Sequence, residues 1–326
     1  MNMTPFFVPV VYEHAAQLIG KRPWEVSRDA DLLVAAHTAA YQRYHHTPVV
    51  VGIDVYNVEA EAYGSVLGDA GGIAIPSVER FACADAGEIL DLPAPDLRTD
   101  GRFPMILEAA RRVQERCPTA EVRVPLSGPF SIASNLVGFE ELLFGVATEP
   151  EAVRDAVMHL AHHQSAVIRA AREMGLGVIV FESAASPPLL SPTSFREIAL
   201  PALRILADAH RALTGSGPHL VLGGDAVPIL DDLVSLHPAL LICPPETERT
   251  VFMVSLQAHP EIAVRINIPP IVFTPAGEER AIAEATIALS LAAGREKVSI
   301  GTGVLPYDAD PEIVLRIQSF IEGHRR

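Results

Sequence analysis

Along the 326-residue chain, short apolar runs alternate with longer stretches whose apolar positions recur every three or four residues. The runs Val49–Asp54, Glu121–Leu126, Val178–Glu182, His219–Leu222, Leu240–Cys243, Ala263–Asn267 and Val298–Gly301 are short and mostly β-branched. Most are apolar on both faces, as in parallel strands sheathed by helices. Between them, Ser27–Tyr44, Pro150–Met174, Pro192–Leu213, Ala226–Leu236, Ala276–Ala293 and Asp310–Glu322 read as helices. Glu149-Pro150, Ser191-Pro192 and Asp310-Pro311 place an acidic or hydroxyl residue just before a proline at the first helical position. The alternation predicts a parallel α/β architecture. The expected form is one (β/α)8 TIM-type barrel domain over residues 1–326, with residues 1–45 as a helical extension packed on it. An open doubly wound sheet is the rival. No GxGxxG follows the first strand and no GxxxxGK[ST] occurs, so dinucleotide and P-loop readings lack support. The proline-rich stretch Leu92–Arg102 reads as a surface loop.

In such a barrel the chemistry sits at the C-terminal ends of the strands. The first strand ends in Asp54, followed by Tyr56, Asn57, Glu59 and Glu61, and the second in Ser127 and Gly128, followed by Ser131 and Asn135. The third gives Glu182 and Ser183, the fourth Gly223, Gly224 and Asp225, and the fifth Cys243 and Glu246. The sixth gives Arg265 and Asn267, the seventh Thr302. Asp54, Glu182 and Asp225 gathered at one mouth would repel each other, so each would be protonated, paired or metal-bound. The competing role for Asp54 and Asp225 is to cap the next helix. Glu182 precedes a Ser/Pro-rich loop, which capping explains less well. Tyr56, Asn57, Asn135, Ser183, Asn267 and Thr302 are the candidate substrate-binding residues. His14 reaches the mouth only if the N-terminal helices fold over it. With Glu59 and Glu61 it forms a candidate cation-ligand set. Tyr12 and Tyr56 are candidate aromatic walls, with core packing as the competing role.

Composition narrows the functional classes. Hydrophobic residues make up 49% and charged residues 20%, which suits a chain with a large buried core. The net charge of -15 excludes a phosphate-held nucleic-acid binder and adhesion to anionic lipid. The three cysteines, Cys83, Cys117 and Cys243, lack CxxC spacing, so neither a disulfide framework nor a thiolate zinc site is indicated. No run approaches a membrane span, and the N-terminus lacks the basic-then-apolar pattern of a signal peptide. A cytoplasmic protein is the expectation, and a homodimer is compatible with the sequence.

The strand ends carry a resemblance. The segment VVGIDVYNVEAEAYG (residues 50–64) resembles the strand that bears the essential aspartate of uroporphyrinogen decarboxylase, and its continuation resembles the corrinoid or coenzyme M methyltransferase branch of that superfamily. SGPFSIASNL (127–136) resembles the glycine–proline strand end and its helix. The stretch from Val178 to Leu203 resembles the acidic strand end and LSP spacing of both branches. VLGGDAVPILDDL (221–233) resembles the segment that reads HxCG in the methyltransferases. INIPP (266–270) resembles the GNxxP segment, and residues 299–314 the last strand and closing helix. The resemblance spans almost the whole chain and implies the barrel fold. It also implies a catalytic role for Asp54 and the Glu182-Ser183 neighbourhood.

The departures shape the functional expectation. The decarboxylase's arginine-rich N-terminal segment is missing, Lys21 and Arg22 being the nearest cations; its tyrosine falls on Asn135 and its late histidine on Thr302. The methyltransferases' zinc-binding His, Cys and distant Cys fall on Val221, Gly223 and Thr302, none of which ligates zinc as a thiolate or imidazole does. His219 lies two residues before Val221 on the same strand face, one layer deeper. The first expectation is therefore a methyltransferase that moves a methyl group between a small substrate and a separate corrinoid protein. Acid or cation assistance from Asp54, Glu182 or Asp225 would replace zinc, and no tightly bound cofactor is expected. A decarboxylase acting on a porphyrin precursor or smaller acid is the second, and a non-catalytic accessory protein of a corrinoid system the third.

Overall fold

The computed structural model describes residues 6–324. Eight parallel strands form one nearly closed barrel wrapped by helices, a (β/α)8 fold. Seven are the expected ones: β2 (Val49–Val50), β5 (Val122–Ser127), β6 (Gly177–Glu182), β7 (His219–Leu222), β8 (Leu240–Cys243), β9 (Ala263–Ile268) and β10 (Val298–Val304). The eighth, β1 (Phe7–Val10), lies inside the stretch expected to be a purely helical extension. It pairs with β10, and the register shifts between Val8 and Val10, where Pro9 interrupts the ladder. Proline has no N–H to donate, so Pro9 confines this strand to a seam. The strand order is β1-β10-β9-β8-β7-β6-β5-β2, with the seam between β1 and β2. A short antiparallel hairpin, β3 (Val66–Gly68) with β4 (Ser77–Arg80), rises beside the C-terminal mouth.

The helices follow from their apolar stripes. Pro150–Glu173 buries Val153, Val157, Leu160, Val167, Ile168 and Ala171, a helical period that lays one face on the barrel and on Leu200–Thr214. The expected helix Ser27–Tyr44 begins later, at Ala30, because the Asp29 carboxylate accepts hydrogen bonds from the N–H groups of Asp31 and Leu32. The expected helix Pro192–Leu213 is interrupted by a π-helical turn at Phe195–Ala199, just ahead of Pro201. A proline cannot donate to the helical ladder, and the turn widens where the ladder is broken. Helices at Phe103–Arg116, Pro129–Val137 and Phe139–Thr148 complete the wrapping. No single helix among the described residues is long and apolar enough to cross a membrane.

Strand alternation decides what faces the barrel axis. On β6, Ile179 and Phe181 point inward and pack with Val10, Tyr12 and Ile242. Their neighbours Val180 and Glu182 therefore point outward, toward the helices.

Candidate active site

A cavity of about 840 Å³ opens at the C-terminal mouth. All eight strands feed it. Tyr12 and Glu13 follow β1, and Ile53 to Asn57 follow β2. Ser134 and Asn135 come from the helix after β5, and Phe181 and Ser183 from the end of β6. Val221, Leu222 and Gly223 end β7, Pro245 and Glu246 follow β8, Asn267 lies on β9, and Gly303 and Val304 lie on β10. Ile75, Pro76, Val78 and Phe81 from the hairpin region close one side together with Phe139. No Lys, Arg or His is among the described lining residues.

Of the expected binding residues, Tyr56, Asn57, Asn135, Ser183 and Asn267 line this cavity. Tyr56 donates its hydroxyl to Ser183 Oγ at 2.7 Å. Asn57 donates to the Pro76 carbonyl at 2.7 Å and accepts from Asn135 Nδ2 at 3.2 Å, so it pins the hairpin and leaves Asn135 Oδ1 to the cavity. Thr302 does not line the cavity. It is buried, and its Oγ1 accepts from the Val10 N–H at 3.0 Å, which ties β10 to β1.

The three expected acids have three different fates. Asp54 lines the cavity, but its carboxylate is held bidentately by Arg102, with both contacts at 2.8 Å and both residues buried. Arg102 also donates to Glu61 at 2.6 Å, and Glu61 accepts from Arg28 at 2.5 Å. Two guanidinium groups thus neutralise two carboxylates. The stretch ending at Arg102 is no mere surface loop, because it delivers this buried cation. Glu182 does not reach the mouth. Its carboxyl lies beneath the helix Pro129–Val137 and accepts from the Phe130 and Ser131 N–H groups, both at 3.0 Å, and from Ser131 Oγ. Burial pushes its pKa up to about 7, against the lowering effect of these donors. Asp225 also lies off the cavity and accepts from the Val227 N–H at 3.2 Å, a local turn contact just ahead of the next helical turn, whose N-cap is Ala226. The convergence of Asp54, Glu182 and Asp225 on one rim therefore does not form.

The candidate cation ligands also separate. His14 is buried against the Tyr44 hydroxyl at 2.8 Å, and burial lowers its pKa to about 4. Glu59 is buried between the Ser127 N–H at 2.6 Å and Gln164 at 2.7 Å, and burial raises its pKa. Glu61 belongs to the arginine network. Among the described residues no group of three His, Cys, Asp or Glu side chains is placed to hold a metal ion. At the positions that match the methyltransferase zinc ligands, Val221 and Gly223 offer no ligating side-chain atom and Thr302 Oγ1 is engaged by Val10. The residues present do not fit that zinc site. Cys243 is fully buried, and burial pushes its thiol up to about 12.

The group that sequence reasoning missed is Glu13. It lines the cavity from the first turn after β1. Burial, then the nearby Asp54 charge, push its pKa up to about 7, opposed by its own backbone N–H. The signal was present in the Tyr-Glu-His triplet at the end of β1. With Phe7–Val10 not recognised as a strand, the residues after it are not inspected as a strand end.

Tyr12 and Arg265 complete the floor. Tyr12 packs edge-on against Phe181, with ring centroids 5.8 Å apart. Its hydroxyl is buried with no hydrogen-bond partner among the described residues. Arg265, one strand layer below the mouth, donates from Nε to Asn267 Oδ1 at 3.1 Å. It is buried and makes no salt bridge among the described residues. At the opposite end of the axis, Arg123 meets the His219 ring and pairs with Glu121 at 2.7 Å.

The comparisons with known proteins agree with the strand-end resemblance. A family model described as uroporphyrinogen decarboxylase (URO-D) matches residues 3–318. Among solved structures, a methyltransferase from Methanosarcina mazei superposes with a TM-score of 0.82 at 20% identity, covering 99% of this chain and 94% of that one. A B12-independent methionine synthase from Shewanella sp. W3-18-1 follows at a TM-score of 0.45 and 12% identity, covering 67% and 64%. That likeness is too remote to bear on this chain. No curated protein matches the chain in sequence. A barrel whose eight strand ends surround one cavity, and a family match over nearly the whole length, give one assignment: the chain belongs to the uroporphyrinogen decarboxylase (URO-D) family.

Proposed function

We propose that this URO-D family member is a methyltransferase that moves a methyl group from a small substrate to a reduced corrinoid carried by a separate protein. The observation that carries the reading is the character of the cavity: apolar and aromatic walls, one carboxyl with a raised pKa beside the arginine-paired Asp54, the exposed Glu246 carboxyl, and no cation among its described lining residues. A porphyrin precursor with many carboxylates would find too little counter-charge there, because Arg102 is already neutralised by Asp54 and Glu61 and Arg265 is a single guanidinium buried below the lining. A small, largely apolar methylated compound fits the walls.

The chemistry needs a leaving group, not an activated nucleophile. The reduced corrinoid supplies the electron pair of the new bond to the methyl carbon. The old bond between that carbon and the substrate heteroatom breaks, and its electron pair stays on the heteroatom. Glu13, poised near neutrality, gives its proton to that heteroatom and is left as a carboxylate, to be reprotonated from solvent. Burial chiefly raises the Glu13 pKa and keeps the proton in place, and Asp54, one of the three acids expected from the sequence, adds to this through its negative charge. The likeness to a methyltransferase at 20% identity supports the fold that places these groups, and the reaction is argued from the groups themselves.

The test is incubation of the purified protein with O-, N- and S-methylated donors and free cob(I)alamin, followed by absorbance as the reduced corrinoid is consumed. The reading predicts methyl transfer from at least one donor class and no decarboxylation of uroporphyrinogen. Uroporphyrinogen turnover with no methyl transfer would overturn it.

A further inference from the structure

We infer that the N-terminal end of the barrel, opposite the mouth cavity, is an anion-binding site in which Arg123, Arg172 and His219 take a phosphate group, free or carried by a small molecule. The site is independent of the methyl-transfer reading.

A second pocket, of about 320 Å³, opens where β5, β6 and β7 begin. Arg123 enters it from β5, Gly177 from β6 and His219 from β7, and Arg172 reaches it from the last turn of the helix Pro150–Glu173. Arg123 is only 5% exposed. Its Nε donates to Glu121 Oε1 at 2.7 Å, and its Nη1 donates to Nδ1 of the His219 ring. A guanidinium cannot accept, so His219 Nδ1 is the bare nitrogen and the ring proton sits on Nε2. Arg123 Nη2 and His219 Nε2 make no hydrogen bond among the described residues. The Arg172 side chain makes no ion pair or hydrogen bond among them either. Nor is Arg172 spent on capping its helix, because the carbonyls of Ala170, Ala171 and Arg172 accept from the N–H groups of Met174, Leu176 and Gly175. Three donor groups on one pocket thus await an acceptor. Gly177 gives Arg123 its place, since a Cβ there would stand 2.8 Å from Arg123 Cγ and 3.3 Å from Glu121 Oε1.

Charge selects the ligand. Glu121 is the only carboxylate among the described lining residues, and it is exposed. The buried Arg265, which has no carboxylate partner among the described residues, adds its charge at His219. Burial, then the Arg123 charge, with His210 and Arg265 behind it, lowers the His219 pKa to about 3. An imidazole held neutral by neighbouring cations marks an uncompensated positive potential. In a protein of net charge -15 this pocket is a local reversal of sign, and a concave basic pocket concentrates anions. Three guanidiniums against one carboxylate leave two positive charges, which match a phosphate dianion. Guanidinium forks also suit phosphate oxygens in geometry. The volume admits a phosphate with a small attached group and lies near the lower bound for small-molecule pockets.

The test is isothermal titration calorimetry of inorganic phosphate, glycerol 3-phosphate and acetate into the full-length protein, at about pH 7.5 and constant ionic strength. Saturable binding of phosphate is expected, weakened about tenfold or more by Arg172→Ala and abolished by Arg123→Met. Arg169→Ala removes the same charge from an exposed position on the same helix outside the pocket, and is expected to leave the affinity within about twofold. Circular dichroism checks that each variant is folded, and Arg172→Ala carries the test alone if Arg123→Met is not. Tighter binding of glycerol 3-phosphate than of inorganic phosphate would identify a carried phosphate as the ligand and the reverse order a free ion, and both support the site. No saturable phosphate binding, an equal loss in Arg172→Ala and Arg169→Ala, or acetate bound as tightly as phosphate overturns the inference.

Discussion

The corner after β1 and the corner after β6 each hold a glutamate with its pKa pushed up to about 7, half-buried at Glu13 and fully buried at Glu182, yet the two do opposite things. Glu182 is surrounded by donors from the helix Pro129–Val137, and its oxygens are spent on holding that helix to the barrel. Glu13 faces the cavity with only its own backbone N–H lowering its pKa. Burial alone therefore does not mark a working acid. What separates the two is whether the carboxyl has a lone pair or proton left for a ligand. Strand alternation produces the difference: Phe181 takes the inward position on β6 and sends Glu182 outward.

Perturbing the carboxyl network sharpens this contrast. Arg102→Met leaves Asp54 buried without its partner and is expected to cost about 3–5 kcal/mol of stability, read by chemical denaturation. It also removes the charge that offsets Asp54, so the Glu13 pKa should rise further. Glu182→Ala leaves two helix N–H groups and a serine hydroxyl unpaired and should cost about 2–3 kcal/mol by the same assay. Glu13→Gln should cost no stability and should stabilise the fold at pH 7, because a neutral amide escapes the burial penalty that raises the Glu13 pKa. A cost for Glu13→Gln as large as that for Glu182→Ala would erase the distinction between the two corners.

The pH dependence follows from the same shift. Glu13 has a folded pKa raised from 4.5 to about 7, so the folded state holds a proton that the unfolded chain has lost. Its contribution to stability is fully present below about pH 4.5 and is lost as pH rises through about 7. Glu13→Gln should flatten this part of a stability-versus-pH curve, measured by denaturation at several pH values. The smallest expected effect is off the cavity: Asp225→Ala removes one side-chain turn contact and should cost about 0.5–1 kcal/mol, with methyl transfer unaffected.

Much of the barrel was legible because its strands are short and apolar on both faces. The exception, β1, has four residues interrupted by Pro9, and a proline within a run argues against a strand. That one omission hid Glu13, since strand ends can be searched only where strands are recognised, while Tyr12 was considered only as an aromatic wall. Arg102 was hidden for a different reason. It lies 48 residues from Asp54 in a proline-rich stretch, and no local spacing reports a contact that only the closed barrel creates. Asn57, Asn135, Ser183 and Asn267 were found because each follows or ends a recognised strand, and strand-end position is what the barrel converts into cavity lining. Glu182 was placed on the correct strand but on the wrong face, as a one-residue error in alternation exchanges cavity for helix layer.

The central claim is that Glu13 supplies the proton for methyl transfer. The direct measurement is the single-turnover rate of methyl transfer to cob(I)alamin for wild type and Glu13→Gln across pH 5 to 9, at about one-unit steps spanning the shifted pKa. A wild-type rate that falls as pH rises through about 7, with Glu13→Gln slower by about 10²–10⁴-fold and without that pH limb, is the expected result. Equal rates for the two proteins, with the same pH profile, would contradict it.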